Sequence, residues 1–288
     1  MKVAYFTAGT VGAGDLLQGL AIERALQRAG FSGEFRAFSP EPPFPYAKYA
    51  NLVPVPVHMQ ELQQRQTAAE SELARALLEY QPDILIVGLF WAPLRHILPL
   101  PNCEHWLLIR RCPDIWFEGP PEAPFDAGQY QRIVAVEPLE YDLFTDRIDP
   151  GVICNRDECR PPGALRELLN VDESRRLVVV SHAGEQGEID QMPVQAGPDD
   201  VVVYFSLYDD LAPFPLAEWI GGADAIVTGA GYNSFWEART LGYFDRTHFV
   251  PFPRRIDDQA WRVRECSGSI PGANGADTLA SWIIEAGA

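Results

Sequence analysis

Two glycine-bearing turns carry the residue types that can hold a phosphate, each where an apolar run gives way to a helical pattern, and a third segment opens a helix on paired acids. The most informative spans Ala223 to Gly242, ADAIVTGAGYNSFWEARTLG. An apolar run enters Gly229-Ala230-Gly231, Asn233 or Ser234 can cap the helix that follows, and Glu237 falls three or four residues beyond. The free N–H groups that open a helix favour an anion, and an acid one turn along is placed to accept ribose hydroxyls. The same spacing also fits a capping box in which Glu237 closes the helix start. Spacing alone leaves both readings open.

The second turn is GTVGAGD, Gly9 to Asp15. Gly9, Gly12 and Gly14 match the dinucleotide pattern G-x-G-x-x-G only loosely, and Phe38-Ser39-Pro40 stands where a ribose-binding acid would end the next strand. A glycine turn without a ligand competes with a phosphate loop here. Asp15 reads either as a charge that suits the helix dipole or as a general base at the C-terminal edge of a parallel sheet, and the dipole reading leads. The third segment, PFPRRIDDQAWRVRE, has Asp257 and Asp258 opening a helix with Gln259 in its first turn; acids there are often caps.

Other candidates carry less. Asp199-Asp200 and Asp209-Asp210 lack spaced partners, so no metal site is expected. Ser181 and His182 are adjacent, and G-x-S-x-G is absent, so no serine hydrolase triad is expected. His182 reads as a loop histidine that only hydrogen-bonds, ahead of a catalytic role. Asp114 and Glu118 are alternative bases. Trp91, Trp116, Phe117, Tyr130 and Trp236 either stack on a sugar or pack the core, with packing the ordinary reading.

The elements that must position these residues alternate. Val3–Thr7 reads as a buried strand, Leu16, Leu20, Ala21, Ala25 and Leu26 keep helical spacing up to Gly30, and Glu34–Phe38 is the next strand. A proline-rich aromatic loop covers Pro40–Pro56, and a polar helix is predicted over Met59–Tyr80. Strands follow at Asp83–Gly88, Trp106–Arg110 and Ile133–Glu137. From Pro138 to Arg176 the pattern loosens, apart from a strand-like Val152-Ile153-Cys154 and a helix over Ala164–Leu169. It restarts with strands at Leu177–Ser181, Val201–Phe205, Ala225–Thr228 and His248–Phe252. Helices are expected at Leu216–Gly222, Asn233–Leu241, Asp258–Glu265 and Thr278–Ala286. Alternation of this kind implies α/β architecture: two Rossmann-like parallel sheets facing a cleft, with halves at 1–148 and 176–288 joined by 149–175.

With 288 residues, about two domains are expected. Forty acidic residues against 23 basic ones leave a net charge of −17, which repels nucleic acid and anionic membrane surfaces. The two lysines, Lys2 and Lys48, leave arginine as nearly all of the positive charge, which fits base composition better than function. Five cysteines form no C-x-x-C pair, so neither a zinc ribbon nor a disulfide framework is expected. The opening MKVAYFTAG lacks the apolar core of a signal peptide, and Asp83–Pro101 is broken by Arg95, His96 and prolines. A cytoplasmic protein with no integral membrane segment is the expectation.

The first and third of these segments, both in the C-terminal half, carry GAGYNSFWEA and PFPRRIDDQ and resemble the nucleotide-sugar-binding domain of GT-B glycosyltransferases. The likeness is to the branch that holds the UDP-glycosyltransferases and the peptidoglycan N-acetylglucosaminyltransferase, with its family 28 type C-terminal domain. The resemblance implies that Gly229, Gly231, Asn233 and Ser234 cradle a diphosphate, that Glu237 holds the ribose, and that Asp258 and Gln259 touch the donor sugar. It brings the Ser181-His182-Ala183-Gly184 loop to the nucleotide and groups Gly12 and Gly14 with the donor contacts. In that superfamily the first turn commonly reads Gly-His, with histidine as the base; this chain carries Asp15 at that place. The chain is short for such an enzyme, and 185–197 is too short and proline-broken for a full helix.

The implied activity is metal-independent, inverting transfer of a hexosyl or N-acetylhexosaminyl group from a UDP-type nucleotide sugar to an acceptor hydroxyl, with no other cofactor. Two alternatives share the fold: a nucleotide-sugar hydrolase, and a catalytically silent homologue that binds a nucleotide sugar or a partner subunit. A homodimer is left open. A Rossmann dehydrogenase is opposed by the missing ribose acid.

Overall fold

The computed structural model describes the chain except for residues 10, 11, 43–50, 114, 120, 122, 123, 140–143, 145–147, 157, 186, 208–211, 270 and 288. The first half is built from β1 (Lys2–Phe6), α1 (Gly14–Arg28), β2 (Glu34–Ser39), β3 (Leu52–Pro54), α2 (Met59–Leu62), α3 (Arg65–Ala69), α4 (Glu72–Tyr80), β4 (Ile84–Gly88), β5 (Glu104–Ile109), α5 (Ile115–Glu118) and β6 (Arg132–Ala135). After α6 (Ala164–Leu169) the second half runs β7 (Leu177–His182), β8 (Val201–Ser206), β9 (Ala225–Gly229), α7 (Tyr232–Thr240), β10 (Thr247–Val250), α8 (Gln259–Cys266) and α9 (Gly275–Ala286).

Both sheets are parallel throughout, in the orders β3-β2-β1-β4-β5-β6 and β10-β9-β7-β8. Their central strands are apolar runs buried on both faces, as parallel strands between helices must be. Each sheet has a point where strand order reverses, between β1 and β4 in the first and between β7 and β9 in the second. The crevice beyond the strand ends at such a point is where open α/β sheets take ligands. This is the α/β architecture expected of two Rossmann-like sheets. No helix among the described residues is long and apolar enough to cross a membrane.

Three local expectations are corrected. The single helix over Met59–Tyr80 is three short helices, a break pattern that lets Leu62, Ala68, Leu73 and Leu77 all enter the core of the first sheet. The Ser71 hydroxyl starts α4 by accepting from the Ala74 N–H at 3.2 Å. Val152-Ile153-Cys154 is not a strand. Its backbone is buried, but its N–H groups donate to side chains instead of a sheet: Ile153 to Tyr232 Oη (2.9 Å) and Cys154 to Asn274 Oδ1 (3.3 Å), with Asn274 Nδ2 donating back to Cys154 O (2.9 Å). Leu216–Gly222 forms two 3-10 turns, in keeping with the weak helix propensity of Gly221-Gly222.

The halves are joined by more than the chain. α9 returns to lie against α1, and Ala21 and Ala25 of one and Ala276 and Ala280 of the other are buried in a single core with Phe235 and Trp236 of α7. Beneath the cleft a fully buried Arg262 from α8 donates from Nε and Nη2 to the two oxygens of Glu137, at 2.9 and 3.1 Å. It also reaches Ala230 O (3.0 Å) and Asp257 Oδ1 (2.6 Å). Glu137, just past β6, accepts in addition from the Arg111 N–H (2.7 Å) and Trp236 Nε1 (3.0 Å). Removing Glu137 strips buried Arg262 of its bidentate partner and leaves it Asp257 and the Ala230 carbonyl alone. Glu137→Ala is therefore expected to cost about 3–5 kcal/mol, read as a lowered denaturant midpoint, while the double variant Glu137→Leu/Arg262→Met recovers most of it. A Glu137→Ala protein that unfolds with the wild type would remove this pair from the account of stability.

Candidate functional site

A cleft of about 1080 Å³ lies between the strand ends of the two sheets and is lined from both halves. From the second half come Ser181, His182, Gly229, Gly231, Asn233, Ser234, Glu237 and Gln259; from the first come Gly14 and Asp15. The fold thus brings together residues more than 200 positions apart in sequence, because the turns after β1, β7 and β9 all open toward the same space.

α7 starts one residue earlier than its sequence suggests. Gly231 is its N-cap, extended at φ −59° and ψ 159°, and no side chain caps it. Asn233 and Ser234 consequently sit inside the first turn, not at the cap, and the opening N–H groups face the cleft without side-chain partners. Glu237 does not close a capping box either. It is 4% exposed, and its Oε1 has no hydrogen-bond partner, as is true of Asn233 Oδ1. Burial, with the Glu218 charge adding to it, pushes the Glu237 carboxyl up to about 8.

On the opposite wall Asp15 lies in the first turn of α1, where the Tyr5 hydroxyl donates to its backbone oxygen at 2.7 Å. One carboxylate oxygen accepts from Arg110, which follows β5 directly. Arg110 is 8% exposed, its Nε lies 3.9 Å from Asp257, and that nitrogen has no hydrogen-bond partner. Burial opposes the Asp257 charge, but Arg262 and Arg110 hold this carboxyl below its ordinary value. Asp15, Arg110, Asp257, Arg262 and Glu137 form one chain of alternating charge from wall to wall.

Two expected contacts lie off the wall. Asp258 is the N-cap of α8, its carboxylate accepting from the Trp261 N–H at 2.9 Å, and its neighbour Asp257 lines the cleft in its stead. Gly12, at φ +79°, packs against the Ala183 carbonyl of the facing loop, too close for any side chain. Gln259 lines the wall while its Oε1 accepts from the Phe252 N–H at 3.0 Å. Trp91 and Trp116 line the cleft; Phe117, Tyr130 and Trp236 are core residues. Glu118 is not a wall residue, and Asp114, Asp209 and Asp210 lie outside the described residues. Asp200 pairs with Arg176 at 2.7 Å, and among the described residues no group of His, Cys, Asp or Glu is arranged to hold a metal.

Sequence reasoning missed Arg110, Glu188 and Arg254. A charged residue directly after a buried strand, as in Ile109-Arg110, is the one signal that could have marked the first. Glu188 and Arg254 meet beside His182, whose Nε2 lies 2.6 Å from Glu188 Oε2. Burial pushes the Glu188 carboxyl up, but hydrogen bonds from Arg254, His182 and the Glu185 N–H outweigh it and hold the group at about 2.

No family model matches the sequence, and no curated protein matches it. Solved structures do. The glycosyltransferase SsfS6 of Streptomyces sp. SF2575, complexed with thymidine diphosphate, superposes with a TM-score of 0.57 at 12% identity over 99% of both chains. Spinosyn forosaminyltransferase SpnP gives 0.57 at 16% identity, over 92% of this chain and 82% of that one. The glycosyltransferase VinC, in complex with DTDP, gives 0.53 at 15% identity, over 99% and 91%. The chain has the GT-B glycosyltransferase fold.

The Glu237 carboxyl yields a test of the pocket's dryness. Its folded value of about 8 lies above the ordinary 4.5, so the fold favours the protonated form. That contribution is fully present below pH 4.5 and is lost as pH rises through about 8. Glu237→Gln keeps the shape and cannot ionise. In thermal melts it is expected to match the wild type near about pH 5 and to melt higher near about pH 9. Parallel curves across that range would mean that the carboxyl is solvated.

Proposed function

We propose that this chain is a glycosyltransferase that moves a sugar from a nucleoside-diphosphate donor to an acceptor hydroxyl, without a metal and with inversion. The observation that carries the reading is the uncapped start of α7 facing the cleft beside two buried, unpartnered oxygens, Asn233 Oδ1 and Glu237 Oε1. Buried polar atoms without partners are rare, and here they flank N–H groups suited to an anion. In this reading the Gly229–Ser234 turn takes the diphosphate, Glu237 the ribose, and Gln259 the sugar, with Asp257 in the role expected of Asp258. Gly14 lets the facing turn approach the donor, while Gly12 lets that turn pack against the Ala183 carbonyl. Residues 1–148 serve the acceptor and 176–288 the donor.

Asp15 is the proposed base. Its unbridged oxygen would take the acceptor proton as the acceptor oxygen bonds to the anomeric carbon and the bond from that carbon to the diphosphate breaks. The α7 N–H groups then stabilise the leaving anion, the part a cation plays elsewhere. A UDP-type donor bearing a hexosyl or N-acetylhexosaminyl group follows from the family resemblance. A thymidine donor is the competing choice, favoured by the nucleotide in the SsfS6 complex. The Arg110 bridge to Asp15 is the one observation that favours a silent homologue instead.

Calorimetry against UDP, dTDP, GDP and their glucose conjugates, with and without magnesium, tests the donor site. One nucleotide is expected to bind in the micromolar range and to raise the melting temperature without magnesium. Asp15→Asn is expected to keep that affinity and to lose about 100-fold or more of turnover, whether sugar goes to an acceptor or to water. Silence across the panel, from protein that melts cooperatively, would overturn the reading.

A further inference from the structure

His182 closes β7 and Gly229 closes β9, neighbouring strands at the reversal point of the second sheet. The imidazole lies against Gly229 so closely that a methyl group there would come within 2.9 Å of Nδ1 and 3.0 Å of Cε1. Phe252 covers it, with ring centroids 4.9 Å apart. Its side chain is 7% exposed, and the residue lines the cleft. On the far side Nε2 meets Glu188 Oε2 at 2.6 Å, and Glu188 in turn accepts from Arg254 at 2.7 Å and from the Glu185 N–H at 2.9 Å. Gly184 leaves the space in which these three side chains converge.

This arrangement decides which ring nitrogen carries hydrogen. Glu188 is ionised, and a carboxylate only accepts, so Nε2 is the N–H. In the neutral ring Nδ1 therefore turns a lone pair toward the Gly229–Ser234 turn. Burial keeps the ring in that neutral form in the empty cleft: it lowers His182 below its ordinary value, with the Glu188 bond opposing and the Arg254 charge assisting. A lone pair beside the place of an anion is repulsive, whereas an imidazolium offers a second N–H.

Resting on the nucleotide-sugar reading, we propose that His182 takes up a proton when the donor binds and gives Nδ1–H to a diphosphate oxygen, with Glu188 and Arg254 holding the ring in register. The groups facing it are Glu188, Arg254, the Phe252 ring and Gly229; the anion adds the missing counter-charge on the Nδ1 side. His182 is thus a donor-binding residue whose protonation is coupled to loading, and the proton stays on the ring through transfer.

Histidine NMR on the wild-type chain tests this, because only five histidines are present. The chain is labelled with 15N-histidine, and His182 is assigned and titrated alone and then saturated with UDP-glucose or dTDP-glucose. Neither probe has an ionising phosphate proton near neutral pH. Saturation is expected to raise the His182 midpoint by about one pH unit or more, with the 15N shifts of a doubly protonated ring. His182→Gln is expected to weaken binding by about tenfold. Saturable binding with the His182 midpoint unchanged or lowered overturns the inference and leaves the function standing. Failure of both sugar nucleotides to bind defeats the donor reading and this inference together.

Discussion

The cleft exists because a row of buried charges must be completed from both halves at once. Glu137 and Arg262 are fully buried and meet at 2.9 and 3.1 Å, so each supplies the other's buried counter-charge. One belongs to the strand ends of the first sheet, the other to a helix of the second. Asp257 and Arg110 extend the row to Asp15, so the position of the acid opposite the Gly229–Ser234 turn is set by pairings that begin beneath the floor. Tyr232 strengthens the same seam, donating to Val136 O at 2.6 Å while accepting from the Ile153 N–H. A movement of one half against the other would have to break these bonds or carry them along.

Above that floor the walls differ in character. The second half presents a helix start, two unpartnered oxygens and a histidine held by a carboxylate–guanidinium pair. The first presents one bridged carboxylate among apolar and aromatic side chains such as Phe90, Trp91 and Trp116. The division suits a charged, polar substrate on one side and a less polar one on the other. On the polar side, packing buries Glu237 and raises its carboxyl. Burial and electrostatics are there a single property, since a low dielectric strengthens every charge–dipole contact that a ligand makes.

The glycine turns illustrate how local pattern and tertiary geometry share the outcome. The run GAGYNSFWE marks a strand, a turn and a helix by composition, and the helix indeed follows at Tyr232. The cap lies at Gly231 because an extended residue there suffices, which leaves Asn233 to point into the cleft. In DDQ the local reading identified a capped helix, and Asp258 is that cap; the neighbouring Asp257 enters the cleft because Arg262, one turn along α8, draws it there.

By itself the sequence determined the alternation of buried strands and amphipathic helices, the parallel α/β class, and the glycine turns at which chemistry concentrates. These depend on periodicity and on backbone freedom, which are properties of a few neighbouring residues. Tertiary structure alone decided that Arg110 bridges Asp15, that Glu188 meets His182, that Glu237 is buried with one oxygen unpartnered, and that Val152–Cys154 bonds to side chains and not to a sheet. Each of these is a pairing or a desolvation. The energy of a buried charge or an unpaired oxygen is set by what packs against it, and such a partner can lie 125 residues away in the chain, as Arg262 does from Glu137.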